Sequence, residues 1–105
     1  MPTEHPKLTP DEIELAADRF KVLSDRTRLA ILQVLRKGEC TVNRVAELVG
    51  ASQPTISKHL ATLTRSGMVK RRQDGNRVLC SIADPIVFRL CDVVCGELGT
   101  DGCDH

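Results

Sequence analysis

One stretch, residues 52–67, constrains the fold more than any other part of the chain. Ser52 is a common helix N-cap, and Pro54 suits a first helical turn because its missing N–H is not needed there. Gly67 can take the left-handed conformation that ends a helix. The stretch therefore predicts one helix of about four turns.

The two sides of this predicted helix differ in chemistry. Ile56, Leu60 and Leu63 recur at helical spacing and form one narrow apolar stripe, which we expect to be buried. The outward side carries hydroxyls, an amide and cations but no carboxylate, which suits a DNA major groove because such groups can read base edges and meet phosphate. The predicted DNA-contacting residues of this helix are Gln53, Thr55, Ser57, Lys58, Thr62 and Arg65.

A basic hairpin is predicted directly after this helix. Residues 68–72 and 77–82 are rich in branched side chains and are joined by a Gln-Asp-Gly-Asn turn. Its cations are expected to meet phosphates or the minor groove, and they are Lys70, Arg71, Arg72 and Arg77. Residues 52–77 hold six Lys and Arg against one Asp, whereas the whole chain has a net charge of +1. Positive charge is thus concentrated at one place, as expected for a surface that binds a polyanion.

Capping residues predict four further helices in the 105-residue chain. They span 10–23 after Thr9, 25–37 after Ser24, 42–49 after Thr41, and 85–98 after Asp84. Only a short turn separates the helix at 42–49 from the helix at 52–67, and the hairpin follows, which is the order of a winged helix-turn-helix. The predicted fold is mainly α with a small β-hairpin. One domain covers 1–105, with flexible ends at 1–8 and 99–105.

Composition argues against several other classes of protein. The polar start and the lack of a long apolar run predict no membrane span and a cytoplasmic location. No Ser/His/Asp grouping, phosphate-binding glycine loop or carboxylate pair is evident, so we expect no enzymatic activity. A winged helix that binds an acidic protein surface in place of DNA remains an alternative.

Three segments resemble the ArsR/SmtB family of bacterial metal- and stress-responsive repressors. They are LSDRTRLAILQVL at 23–35, SQPTISKHLATLTRSGMV at 52–69 and RRQDGNRVLCSI at 71–82. The resemblance implies a homodimer that pairs through its first and last helices, with 84–98 as the second dimerisation element. It also implies that the recognition helices enter successive major grooves of a palindromic operator, and that an inducer releases the DNA.

Five cysteines, without an export signal, favour reduced thiols that bind metal or sense oxidants over a disulfide framework. Cys91 and Cys95 are one helical turn apart, and Cys103 follows three glycines that would let the tail fold back. Three thiolates suit trivalent arsenic or antimony, which prefers sulfur in a pyramidal arrangement. We therefore expect an arsenite or antimonite inducer at Cys91, Cys95 and Cys103.

The same thiols leave other inducers open. Cadmium, lead or zinc would fit if Asp104 or His105 joined the site. A disulfide or polysulfide formed by Cys91 or Cys95 would instead make a redox- or persulfide-sensing repressor. The zinc site that the resemblance suggests on the last helix is not supported, since that helix contains no histidine.

Three other side chains, Cys80, Cys40 and His59, belong to neither of these predicted sites. Cys80, in the second hairpin strand, is expected to be a core residue. Cys40 lies beside the position where the arsenic-sensing prototype of the family carries a Cys-x-Cys pair, but no second thiol accompanies it, and its role is left open. His59 is expected to bond either a neighbouring backbone group or a phosphate.

Overall fold

A computed structural model describes residues 7–98, except for the side chains of residues 91 and 94–98. The elements are α1 (Pro10–Leu23), α2 (Arg26–Leu35), β1 (Cys40–Thr41), α3 (Val42–Val49), α4 (Gln53–Arg65), β2 (Val69–Asp74), β3 (Arg77–Ile82) and α5 (Ile86–Leu98). The prediction of a mainly helical fold with a small hairpin is confirmed. Of the two ends predicted to be flexible, residues 1–6 and 99–105 lie outside the described residues.

Local capping fixes the start of each of the first two helices. At α1, Thr9 Oγ1 accepts the Glu12 amide at 3.1 Å and Glu12 Oε1 accepts the Thr9 amide at 2.8 Å, a complete capping box. At α2 the cap is Asp25 and not the predicted Ser24, because Asp25 Oδ1 accepts the Arg28 amide at 2.9 Å. The Ser24 hydroxyl instead donates to the Lys21 carbonyl, at the end of α1. Both residue types can cap a helix, so the sequence pattern was ambiguous by one position.

The helix-turn-helix unit is formed by α3 and α4. Gly50 takes the left-handed conformation, with φ at 83°, and ends α3. The predicted apolar stripe of α4 is fully buried, at Ile56, Leu60 and Leu63. It packs in one core with residues of the neighbouring elements, among them Ile31, Leu35, Val45 and Val69. Burial of this stripe leaves the polar side of α4 facing outward.

The hairpin is part of a three-stranded antiparallel sheet with the order β1-β3-β2. Strands β2 and β3 pair from Val69 opposite Ile82 to Asp74 opposite Arg77, as the hairpin prediction requires. The strand β1 was not predicted, since its two residues are too few for a periodic pattern. It places Cys40 opposite Cys80, whose expected burial in the core is confirmed.

Helix α1 buries none of its side chains within the chain. Its apolar residues Ile13, Leu15 and Phe20 are exposed, and Phe20 keeps 69% of its surface accessible. Val93 on α5 is equally exposed. In the described part of the chain, no helix is both long enough and apolar enough to cross a bilayer.

Candidate nucleic-acid interface

The outward side of α4 carries the predicted polar residues. Ser52 Oγ accepts the Thr55 amide at 3.3 Å, so the start of the helix is held by its cap. Gln53, Thr55, Lys58 and Arg65 are exposed, while Ser57 and Thr62 are half-buried. The Thr62 hydroxyl donates back to the Lys58 carbonyl at 3.4 Å and accepts from Arg65 Nη2 at 3.5 Å. With no carboxylate on this side, α4 offers donors and positive charge to a ligand.

A groove of about 250 Å³ lies between the start of α4 and the hairpin. Gln53 and Ser57 line it from α4, while Arg71 and Arg77 line it from the hairpin. The structure therefore brings four predicted DNA-contacting residues, from two separate elements, to one concave surface. Asn43, in the first turn of α3, lines the same groove and was missed by the sequence analysis. The sequence offers little indication of this role, because a single asparagine at the start of a helix commonly serves other purposes, such as capping.

The four hairpin cations differ in how they are paired. Arg72 makes a bidentate ion pair with Glu39, with Nε to Oε2 at 2.8 Å and Nη2 to Oε1 at 2.9 Å. This contact lowers the pKa of the Glu39 carboxyl and raises the pKa of Arg72. Arg77 Nη2 donates to Asp74 Oδ2 at 2.9 Å, across the turn. Within residues 7–98, neither Lys70 nor Arg71 makes an ion pair, so their charge is available to a ligand.

His59 contacts the side chain of Arg28 and not the predicted neighbouring backbone group; the predicted phosphate contact stays a prediction. Arg28 Nη1 lies 3.2 Å from His59 Nδ1, and since arginine has only donors, Nδ1 must accept. The same guanidinium donates from Nε to the Val22 carbonyl at 2.7 Å and from Nη2 to the Lys21 carbonyl at 3.5 Å. Arg28 thus connects α2 to the end of α1 and to α4.

The predicted thiol site lies at the edge of what the structure describes. Cys91 and Cys95 belong to α5 and are one helical turn apart, but their side chains are outside the described set, as is the whole of Cys103. Among the described residues, no three His, Cys, Asp or Glu side chains form a group that could hold a metal ion. The described part of α5 contacts the residue that follows α2, because Arg36 Nη2 donates to Asp92 Oδ1 at 2.5 Å.

Comparison with known proteins agrees with this geometry. Residues 25–71 match the family model described as "Bacterial regulatory protein, arsR family". The chain is 38% identical over 94 residues to a Streptomyces lividans protein named "Probable mercury resistance operon repressor", which covers 90% of this chain and 67% of the relative.

Two solved structures share the fold. The crystal structure of the antimony-specific transcriptional repressor AntR matches with a TM-score of 0.80 and 28% identity, covering 90% of this chain and 86% of that one. The homodimeric winged helix-turn-helix DNA-binding domain of a Mycobacterium bovis protein, solved by NMR, matches with a TM-score of 0.74 and 32% identity, covering 89% of this chain and 88% of that one.

Proposed function

The chain belongs to the ArsR family of bacterial transcriptional repressors, and on this basis we propose that it binds a palindromic operator as a homodimer and that a thiol-coordinated inducer releases it. Because the family consists of transcriptional regulators, the prediction that the chain is not an enzyme is confirmed. The inducer we propose is arsenite or antimonite. A cytoplasmic location, where operator DNA lies, is part of the same proposal.

The observation that carries the DNA-binding proposal is the groove between α4 and the hairpin. Gln53 and Ser57, which carry an amide and a hydroxyl, line it from α4, and Arg71 and Arg77 line it from the hairpin. Polar groups suited to base edges thus lie next to cations suited to phosphates. In this arrangement α4 enters the major groove, while Lys70 and Arg71 contact the backbone beside it.

The homodimer is supported by the uncovered apolar side chains of α1 and α5. Ile13, Leu15 and Phe20 on α1, and Val93 on α5, are more than half exposed within one chain. Four large apolar side chains on two helices are costly to leave in water, and a second copy of the chain would cover them. A two-fold axis through these helices would present two α4 helices to successive major grooves.

The inducer part of the proposal rests on the thiols of the last 15 residues. Cys91 and Cys95 lie one helical turn apart in α5, and Cys103 follows in the sequence. Trivalent arsenic and antimony are soft and favour three thiolates, so these three residues would hold either ion. A relative named for mercury resistance and a structural neighbour named as antimony-specific are consistent with a soft inducer. Cadmium, lead, zinc and a redox signal remain the competing inducers.

Fluorescence anisotropy with a labelled duplex from the chain's own promoter tests the DNA-binding proposal. If Lys58, Lys70 and Arg71 of each subunit meet phosphate, six contacts per dimer give a log–log salt slope of about −5. A scrambled duplex of equal length should show a similar slope but weaker binding. Failure to bind duplex DNA at low salt, while an acidic protein binds the same surface, would favour the interaction-module alternative.

Arsenite titration of the protein–DNA complex tests the inducer. We expect arsenite to release the wild-type protein from DNA, and Cys95→Ser to abolish this release without weakening DNA binding. Cys40→Ser is the matched control and should respond like the wild type. Release of Cys95→Ser by cadmium or by a persulfide, but not by arsenite, would support one of the competing inducers.

A further inference from the structure

Two cysteines outside the proposed inducer site lie opposite each other in the sheet. Cys40 of β1 is the direct partner of Cys80 in β3, and neither cysteine forms a disulfide in the structure. Directly opposed residues of antiparallel strands project to the same face, with Cα atoms about 4.5 to 5.5 Å apart. A disulfide spans Cα atoms about 4.4 to 6.8 Å apart, so the spacing expected for this register lies within the range that a disulfide needs.

The two thiols differ in access to solvent. Cys80 is fully buried in the core, whereas Cys40 is half-buried and packs against that core. Cys40 also lines an open concavity of about 560 Å³ between α2, β1 and α3. A small reagent can therefore reach Cys40 from solvent, whereas Cys80 is shielded by the core.

We propose that Cys40 and Cys80 form a second thiol site, which a peroxide converts into a reversible cross-strand disulfide. The Cys40 sulfur first attacks a peroxide oxygen, breaks the O–O bond and becomes a sulfenic acid, with release of water when the oxidant is hydrogen peroxide. The Cys80 sulfur then attacks the Cys40 sulfur, forms the S–S bond and expels a second water. Two thiols lose two electrons in total, and the peroxide gains them.

The order of the two steps follows from burial. Burial raises the pKa of the Cys80 thiol, so little of it is thiolate at neutral pH and its attack is expected to quicken as the pH rises. Cys40, which is accessible, reacts first. The disulfide would join the strand that leads into the Thr41 cap of α3 to the second strand of the hairpin. Arg71, which lines the proposed DNA groove, is the partner of Cys80 on the other side of β3.

Peptide mapping of the peroxide-treated wild-type chain tests the site directly. Trypsin places Cys40 in peptide 38–44, Cys80 in peptide 78–89, and the other three cysteines together in peptide 90–105. We expect peptides 38–44 and 78–89 to be joined within one chain, and dithiothreitol to separate them. A link from peptide 38–44 to peptide 90–105, or a link between two chains only, would overturn the proposal.

A variant that carries Cys91→Ser, Cys95→Ser and Cys103→Ser keeps Cys40 and Cys80 as its only two thiols. Peroxide should reduce its free thiols from two to none and its mass by two hydrogens. Adding Cys80→Ala should stop the reaction at a Cys40 sulfenic acid that dimedone traps, while adding Cys40→Ser should leave Cys80 reduced. Two thiols still free after treatment, with circular dichroism showing a folded chain, would refute the site. Since this variant lacks the proposed inducer thiols, the result does not depend on arsenite binding.

Discussion

Arg28 Nη1 lies 3.2 Å from His59 Nδ1 and links the second helix of the chain to the proposed DNA-reading helix. The guanidinium also donates to the Val22 and Lys21 carbonyls, at the end of α1. One side chain therefore connects three helices: the helix proposed to pair with a partner subunit, a core helix and the helix proposed to enter DNA. Movement of α1 can reach α4 through this residue.

Arg28→Ala is predicted to destabilise the fold. Arg28 makes part-buried hydrogen bonds to the Val22 carbonyl and to His59 Nδ1. Loss of these two bonds should lower the free energy of unfolding by about 2 kcal/mol. Urea denaturation followed by circular dichroism measures this change. Arg26→Ala, on the exposed side of the same helix, is the control and should change stability by less than about 0.5 kcal/mol. Equal effects of the two substitutions would contradict the bridging role of Arg28.

Arg71→Ala should weaken operator binding more than Arg72→Ala. Arg71 lines the groove and forms no ion pair among the described residues, whereas Arg72 is already engaged by Glu39. We expect a roughly tenfold rise in Kd for Arg71→Ala, with a salt slope that is less steep by about two per dimer. Anisotropy titrations at several salt concentrations measure both quantities. Lys37→Ala, which removes equal charge outside this groove, should leave both unchanged.

Glu39→Gln tests the ion pair from its other side. The pKa of Glu39 is lowered by Arg72, so the stabilisation from this pair is present above the unfolded-state pKa of about 4.3 and is lost as the pH falls through the lower folded-state value. We expect the wild type to lose its stability advantage over Glu39→Gln in that acidic range. Thermal melts of both proteins between pH 7 and pH 3 measure the difference. A gap that is constant across that range would mean that the charge of Glu39 does not contribute to stability.

Phe20→Glu is predicted to give a folded monomer. Phe20 keeps 69% of its surface exposed, so its replacement costs little within one chain but places a charge in the proposed dimer interface. Sedimentation velocity should show loss of the dimer, with unchanged helix content by circular dichroism. Leu48→Glu introduces the same charge at another exposed apolar position, on α3, and should remain dimeric. Dimers in both variants would place the interface elsewhere.

Most of the fold was predictable because its signals are local. The caps at Thr9, Thr41 and Ser52 each bond a residue three positions ahead, and such pairs can be read directly from the sequence. The strand β1 could not be predicted, since it consists of two residues that pair about 40 positions away. The contacts of Arg28, Arg72 and Arg36 span 31, 33 and 56 residues, so only the folded chain reveals which acceptor each guanidinium meets.

The same limit applies to the site. The helical spacing of polar and apolar residues identified the outward residues of α4. Once the apolar stripe is assigned to the core, the opposite side of the helix must face solvent. The pairing of Arg72 with Glu39 was not predictable, since opposite charges far apart in sequence give no local pattern. The sequence therefore indicated where cations are concentrated but not which of them are free to meet DNA.

The ion pair between Arg36 and Asp92 connects the end of α2 to α5. Arg36 follows the end of α2 and also lies over the Phe88 ring, 5.5 Å from its centroid, so α5 is held to α2 by a charge contact and a cation–π contact. Asp92 is the residue next to Cys91, one of the proposed inducer thiols. A change at the thiols would therefore reach α2, and the core behind α4, through this pair.

Asp92→Asn removes the charge contact without changing the size of the side chain. We expect arsenite binding to persist. The ratio of the operator affinity without arsenite to the affinity with arsenite should fall at least about fivefold, because coupling energies of this kind are typically about 1 to 3 kcal/mol. Thiol titration measures the binding, and anisotropy measures the ratio. Arg89→Gln changes an exposed charge on the same helix that forms no ion pair within the described residues, and should keep the wild-type ratio. If Asp92→Asn also keeps that ratio, the coupling must pass through contacts between the subunits.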